Sequence, residues 1–129
     1  MGYGEIGEKK EMTQTHMINV NINEIQMKFK TSNKVFSPLA LDKGTAAMLK
    51  LADIKRDDKV LDLGCGYGVV GIYASKIVGP QNVVMIDIDD EAIRLSKENA
   101  ILNNVGEVRI IQSKGFRDLN EKGFTIILS

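Results

Sequence analysis

The sequence contains few of the residues that build redox, disulfide and metal sites. Among its 129 residues there is one cysteine, Cys65, and one histidine. A single cysteine cannot close an internal disulfide bond, which is typical of proteins in a reducing cytoplasm. A structural metal site needs about four ligands. We therefore predict no metal site and expect His16 to lie at the surface.

The sequence also lacks a long apolar run and an excess of either charge. No stretch approaches the ~20 apolar residues of a membrane-spanning helix, and the N-terminus lacks the apolar core of a signal peptide. The 17 basic residues balance 17 acidic ones, so no overall field draws the chain to nucleic acid or to an anionic membrane. Length and composition predict one globular domain, without membrane association.

The N-terminal part alternates apolar and polar residues. Residues 1–15 are polar and are expected to form a flexible tail. Two alternating runs, 18–22 and 25–30, are separated by two residues, which predicts two half-buried strands in a tight hairpin. Lys28 and Lys30 share its polar face. A solvated edge that discourages aggregation is the simpler interpretation, and contact with RNA phosphate is the alternative.

The chain is organised around residues 59–71, with the sequence KVLDLGCGYGVVG. It begins with an apolar run of the length of a buried strand, continues with four glycines, and is followed by apolar residues at helical spacing. Strand, glycine loop and helix form a unit that holds nucleoside-like ligands at the carboxyl end of a parallel strand. Glycine suits this loop because it adopts backbone angles that side chains forbid and allows close approach to a ligand.

Two ligand classes use such a loop. The last three glycines fit the G-x-G-x-x-G spacing of dinucleotide sites, so a nicotinamide-dependent oxidoreductase domain is one interpretation. The pattern Asp62-x-Gly64-x-Gly66-x-Gly68 describes the stretch better, because an acidic residue lies within the strand end. We interpret Cys65 as a small loop residue and not as a nucleophile, since no histidine is near it in sequence.

The rest of the chain predicts further strand–helix units. A helix is expected to begin near Asp42. Apolar runs and helix-ending signals then predict strands at 83–86, 108–111 and 124–128, and a helix over about 90–103. Within that helix we expect Ala92, Leu95 and Leu102 to face inward.

The motif at residues 60–68 resembles the first motif of class I S-adenosylmethionine-dependent methyltransferases. The segment from Val35 to Thr45, with Val-Phe-Ser followed by Asp-x-Gly-Thr, resembles the lead-in of the small methyltransferase domain of ribosomal RNA guanine-N2 methyltransferases. This resemblance implies a Rossmann-like, doubly wound α/β sheet of strand order 3-2-1-4. It implies S-adenosyl-L-methionine as cofactor, an exocyclic amino group of an rRNA nucleobase as substrate, and a cytoplasmic enzyme.

The resemblance also implies the cofactor contacts. It assigns them to the acidic residue, the glycines and the cysteine of residues 62–68. Asp87, which follows the second parallel strand, would accept hydrogen bonds from both ribose hydroxyls, because a carboxylate has two oxygens. Ile88 would pack on the adenine. Phe36 would cover the cofactor and Thr45 would touch it; the alternative is a core phenylalanine and a helix capped at residue 42.

Two departures from the family follow. Many relatives have an Asp that contacts the adenine amino group where this chain has Lys114, and lysine cannot accept a hydrogen bond. Ser113 or a backbone group would then supply that contact. The family's Asn-Pro-Pro-aromatic motif, which holds the amino group to be methylated, would begin at position 130. We therefore expect residues 37–129 to be the N-terminal part of one methyltransferase domain, preceded by a hairpin extension at 16–36.

The sequence names no catalytic residue and leaves three interpretations open. The chain is a methyltransferase, a domain that binds the cofactor without catalysis, or the oxidoreductase domain considered above. In the predicted strand order, the fourth strand lies at the outside of the sheet. Its apolar residues at 124–128 are expected to form an exposed edge, which favours self-association.

Overall fold

The computed structural model describes residues 15–32 and 43–129. The strands are β1 (Thr15–Ile22), β2 (Ile25–Ser32), β3 (Val60–Leu63), β4 (Val83–Asp87), β5 (Arg109–Gln112) and β6 (Ile126–Leu128). The helices are α1 (Lys43–Leu51), α2 (Val69–Val78) and α3 (Asp90–Leu102). The predicted tail up to residue 14, the predicted cover Phe36 and the predicted cap Asp42 lie outside the described residues.

The main sheet has four parallel strands in the order β5-β4-β3-β6. This confirms the predicted strand order, with β3 and β4 at the centre. The predicted fourth strand is shorter than expected, since pairing with β3 covers only Ile126–Leu128. Among the described helices, none combines the length and the apolar character needed to cross a membrane.

Strands β1 and β2 form the predicted antiparallel hairpin, in which Ile22 pairs with Ile25. The turn residues Asn23 and Glu24 have φ of 50° and 68°. Positive φ at both central residues is the signature of the type I′ turn, whose twist matches that of the strands. The Asn23 amide donates to the hydroxyl of Tyr73 on α2 at 2.9 Å, so the turn is attached to the main domain.

The central strands are buried on both faces. Val83 and Met85 of β4 belong to the main core, which also contains side chains of the hairpin, α2 and α3. Val84 and Ile86 alternate with them and face a smaller cluster that is completed by partly buried loop side chains such as Phe124. Burial on both faces explains why these strands read as continuous apolar runs.

Helix α3 corrects one expectation. Leu102 was predicted to face inward, but its side chain is 43% exposed. Instead, the inward positions near the end of the helix carry Asn99 and Asn103, which are buried. These amides bond the backbone of β2, so polar side chains fill a place that an apolar pattern would assign to leucine.

Candidate functional site

The glycine loop, residues 64–68, joins β3 to α2 at the carboxyl end of the sheet. Gly64, Gly66 and Gly68 have φ of 75°, 56° and 108°, a region in which other residues are strained. The backbone amides of Gly64 and Cys65 both donate to the carbonyl of Ile86, at 2.8 and 2.9 Å. The loop is therefore anchored to the end of β4, and three of its residues adopt backbone angles that favour glycine.

Gly71 allows α2 to lie unusually close to β4. A Cβ atom at this position would lie 2.4 Å from Cγ of Met85, a separation that packed side chains do not reach. The fourth glycine of the motif therefore serves helix–strand packing, and it places the N-terminus of α2 directly behind the loop.

The carboxylate of Asp62 lies underneath the loop. It is 1% exposed and accepts a hydrogen bond from the backbone amide of Gly71 at 2.9 Å. Burial raises the pKa of Asp62 to about 7; the bond from Gly71 opposes the rise and the charge of Asp87 adds to it. Asp62 thus holds the first turn of α2 to the end of β3, and its side chain does not reach solvent.

The carboxylate of Asp87 is half-buried and bonded on both oxygens. Oδ2 accepts from the backbone amide of Gly66 at 2.9 Å, and Oδ1 accepts from the backbone amide of Asp89 at 2.9 Å. A carboxylate has about four acceptor positions, so about two remain free of these contacts. The two bonds fix the orientation of the side chain before any ligand binds.

A cleft of about 330 Å³ opens beside this carboxylate, within the size range of small-molecule sites. Its lining residues are Leu63, Gly64, Ile86, Asp87, Ile88, Ser113, Lys114 and Gly115. Ile88 is 60% exposed and offers an apolar surface at the cleft. Four predicted contacts (Gly64, Asp87, Ile88 and Ser113) therefore come together at one cleft.

The other predicted contacts have different positions. Gly66 is connected to the cleft through its bond to Asp87, and Gly68 precedes the first residue of α2. Thr45 lies on α1 and, among the described residues, is not part of the cleft lining. Its role in cofactor binding stays a prediction.

Ser113 uses its hydroxyl to fold the loop after β5. The hydroxyl donates to the carbonyl of Gly115 at 3.0 Å and accepts from the amide of Asp118 at 3.1 Å. The residue is 4% exposed. One acceptor position of the hydroxyl remains, so an adenine contact by Ser113 would share an oxygen that already holds the loop.

Cys65 is a buried loop residue. Its Sγ lies 3.4 Å from the hydroxyl of Ser96, and burial, followed by the charge of Asp62, raises the pKa of the thiol to about 12. Because the thiolate is the reactive form, this environment opposes a nucleophilic role. In the part of the chain that the structure describes, no group of three His, Cys, Asp or Glu side chains could hold a metal ion.

Two buried residues of α3, Ser96 and Asn99, bond the loop and were not predicted from the sequence. The Ser96 hydroxyl donates to the carbonyl of Gly66 at 2.8 Å. The Asn99 amide donates to the carbonyl of Tyr67 at 2.7 Å. Polar residues on the inward face of an amphipathic helix are the signal that could have identified them.

Comparisons with known proteins agree with this geometry. The family model described as the methyltransferase small domain matches residues 26–129. Ribosomal RNA small subunit methyltransferase C of Hamiltonella defensa is 33% identical over 108 residues, which cover 84% of this chain and 31% of that protein. The chain spans less than half of the length of the curated relatives it matches.

Two solved structures extend the comparison. A 16S rRNA N2 methyltransferase of T. thermophilus, in complex with AdoMet and guanosine, matches with a TM-score of 0.76 and 22% identity, over 88% of this chain and 32% of that chain. This likeness establishes the Rossmann-like fold. An RNA methyltransferase from Salinibacter ruber, in complex with S-adenosyl-L-homocysteine, matches with a TM-score of 0.56 and 29% identity, over 69% of this chain and 58% of that chain.

None of these comparisons supports the dinucleotide oxidoreductase interpretation. The family match covers the glycine loop, the strand that ends in Asp87 and the segment after β5, all of which contribute to the cleft. The chain belongs to the methyltransferase small domain family.

Proposed function

We propose that this chain is the cofactor-binding part of an S-adenosylmethionine-dependent methyltransferase that modifies an exocyclic amino group of an rRNA nucleobase, as guanine-N2 enzymes do. The observation that carries the proposal is the orientation of Asp87. Its carboxylate is held by the glycine loop at the wall of a cleft of ligand size. Sulfonium nucleosides carry vicinal ribose hydroxyls, which are suitable donors to such a carboxylate.

We assign a part of the cofactor to each wall of the cleft. Asp87 accepts hydrogen bonds from the ribose hydroxyls with the acceptor positions that Gly66 and Asp89 leave open. Ile88 provides an exposed apolar surface for the adenine ring, because burying such a surface under a flat aromatic group is favourable. Lys114 lines the same wall, and its ammonium is a donor to ring nitrogens and not an acceptor.

The chain's own contribution to methyl transfer is positioning. When bound, S-adenosyl-L-methionine supplies a methyl group that passes from sulfur to the amino lone pair in line, while the S–C electron pair stays on sulfur and nitrogen loses a proton. Orientation of the reacting groups contributes as much as about 7–11 kcal/mol to such a step. The loop, Asp87 and Ile88 hold one reactant in place, and no residue of the described chain is assigned as a base.

Relatives support RNA as the substrate. The curated relative from Hamiltonella defensa is named as a small subunit rRNA methyltransferase, and the T. thermophilus structure contains guanosine. The net charge of zero gives no general attraction to RNA. Specific recognition of the base therefore has to come from close contacts, and guanine-N2 is the proposed position.

Two assays test the proposal. Isothermal titration of the chain with S-adenosyl-L-homocysteine should give saturable binding, whereas NAD should give none. Binding of NAD alone would reject the proposal in favour of the dinucleotide site. Transfer of a labelled methyl group to rRNA then separates catalysis from binding. If S-adenosyl-L-homocysteine binds but the label is not incorporated into rRNA, the chain is a binding domain without catalysis.

We also propose that the chain self-associates through β6. Among the described residues this strand pairs only with β3, so it lies at the edge of the sheet, and Ile127 is 53% exposed there. Exposed apolar edges pair with other chains. Sedimentation velocity should show concentration-dependent association that Ile127→Lys weakens, whereas the control Ile101→Lys, at an exposed position of α3, should leave it unchanged. A monomer at high concentration would contradict this proposal.

A further inference from the structure

We propose that Asn99 is a positioning residue for cofactor binding, because its buried amide joins the N-terminal hairpin to the glycine loop. This inference rests on the proposed function and extends it to a part of the chain outside the Rossmann-like unit. On this view the hairpin is a part of the cofactor site, although none of its residues lines the cleft.

The side-chain amide of Asn99 makes one hydrogen bond as an acceptor and two as a donor. Its Oδ1 accepts from the backbone amide of Lys30 at 2.7 Å. Its Nδ2 donates to the carbonyl of Lys30 at 2.9 Å and to the carbonyl of Tyr67 at 2.7 Å. The side chain is 0% exposed. Since an amide nitrogen has only two hydrogens, one of them serves the hairpin and the other serves the loop.

The carbonyl of Tyr67 belongs to the peptide group just after the one that Ser96 holds. Ser96 lies one helical turn before Asn99 and donates to the carbonyl of Gly66 at 2.8 Å. The amide of Gly66 itself donates to Asp87. Three successive peptide groups of the loop are thus held by side chains. Peptide groups are rigid and planar. The orientation of these three groups therefore determines the direction in which the Gly66 amide donates to the carboxylate of Asp87, which we assign to the ligand.

A second contact joins the same two segments. The ring of Phe29 on β2 meets the ring of Tyr67 edge-to-face, with centroids 5.7 Å apart and an interplanar angle of 69°. Both residues are buried, at 0% and 5% exposure. Aromatic pairs of this geometry are favourable beyond the area that they bury. Tyr67 of the glycine loop is therefore held by the hairpin through its ring and by Asn99 through its carbonyl.

Asn103, which directly follows α3 and caps its C-terminus, offers a matched control. Its Oδ1 accepts from the amide of Lys28 at 3.0 Å, and its Nδ2 donates to the carbonyl of Lys28 at 2.8 Å. Its second donor bond goes to the carbonyl of Asn99, at 2.8 Å, and not to the loop. Asn99→Asp and Asn103→Asp each keep one acceptor and lose two donor bonds, but only the first loses a bond to the glycine loop.

The experiment compares these two variants with the wild-type chain. Titration with S-adenosyl-L-homocysteine is carried out at a temperature where circular dichroism shows all three folded. We expect Asn99→Asp to weaken binding at least tenfold and Asn103→Asp to weaken it less than threefold, while both lower the melting temperature by similar amounts. Equal losses of affinity in the two variants, or no loss in Asn99→Asp, would overturn the proposal.

A milder variant and a ligand-free measurement cover the remaining outcomes. If Asn99→Asp does not fold, Ser96→Ala, which removes the bond to the Gly66 carbonyl and the contact with Cys65 Sγ, should weaken binding threefold to tenfold; unchanged affinity would overturn the proposal. If the wild-type chain does not bind S-adenosyl-L-homocysteine, the proposed function is rejected. Amide hydrogen exchange then tests the link separately: Gly66 and Gly68 should exchange faster in Asn99→Asp, or in Ser96→Ala where that variant replaces it, but not in Asn103→Asp.

Discussion

Asp62 and Asp87 lie at the carboxyl ends of two neighbouring parallel strands, yet their surroundings differ. Asp62 is almost completely buried and accepts one bond from the first turn of α2. Asp87 is half-buried, accepts one bond on each oxygen and lines the cleft. The difference follows from the glycine loop, which passes over Asp62 and alongside Asp87. One carboxyl group therefore attaches α2 to β3, and the other is held by the loop at the wall of the cleft.

This comparison predicts that a substitution at Asp87 mainly lowers the affinity for the ligand, whereas a substitution at Asp62 mainly lowers the stability of the fold. Asp87→Ala removes the carboxylate that we assign to both ribose hydroxyls. Each hydrogen bond to a charged group is worth about 1.5–3 kcal/mol, so titration with S-adenosyl-L-homocysteine should show affinity reduced by at least about a hundredfold. Asp57→Ala, at an exposed position before β3, is the control. If the affinity of Asp87→Ala is within threefold of the wild-type affinity, the assignment of Asp87 to the ribose hydroxyls is wrong.

Gly71→Ala tests the close packing that supports the position of Asp62. The new Cβ would meet Met85 at 2.4 Å, and overpacking of this kind costs about 1–3 kcal/mol. We expect the free energy of unfolding, measured with urea, to fall by about 2–3 kcal/mol. Gly106→Ala, where a Cβ would lie 3.3 Å from Ile101, should change it little. Equal effects at both glycines would contradict the close approach of α2 to β4.

Asp62→Ala should act mainly on stability. It leaves the amide of Gly71 buried without its acceptor, and an unsatisfied buried donor costs about 1–3 kcal/mol. Chemical denaturation should show a loss in that range. The affinity for S-adenosyl-L-homocysteine, measured where the variant is fully folded, should change less than it does in Asp87→Ala. A loss of affinity equal to that of Asp87→Ala would show that both carboxyl groups serve the ligand.

The raised pKa of Asp62 predicts a smaller, pH-dependent effect. Its folded-state pKa of about 7 lies above the ordinary value of 3.8, so the folded chain binds more protons than the unfolded chain between these values. The contribution of this group to stability is therefore lost as pH rises from about 4 to about 7. Relative to wild type, Asp62→Asn should become progressively more stable across this window. Parallel stability curves for the two proteins would contradict the raised pKa.

Much of the fold could be predicted from the sequence because its signals are local. The apolar run at residues 60–63 became β3 with the predicted bounds, and the helix predicted after the glycines ends at Val78, before Gly79. Positive φ at Gly64, Gly66 and Gly68 agrees with the loop that their spacing predicted. A parallel strand that is buried on both faces requires an apolar residue at each position, and a turn with positive φ favours glycine. Each requirement can be recognised at a single position of the sequence.

The supports of the site could not be predicted, because they join distant parts of the chain. Asn99 bonds a loop 32 residues before it and a strand 69 residues before it, and no periodicity encodes such a pairing. The same limit explains why Leu102 was wrongly placed inward. The resemblance assigned a cofactor contact to both Asp62 and Asp87, but the different burial of the two carboxylates depends on how the strands and helices pack.

The sequence by itself determined the buried central strand and the glycine turn, and it predicted a nucleoside-like ligand, because these depend on residue types that few other conformations accept. The strand order was implied by the family resemblance of the motif. Only the tertiary structure decided that the Asp62 carboxylate is buried and bonded to the first turn of α2. It also revealed that α3 and the hairpin hold the loop from behind. Those facts depend on which buried polar groups meet when strands and helices pack, and each such group must find its partner there since water is excluded.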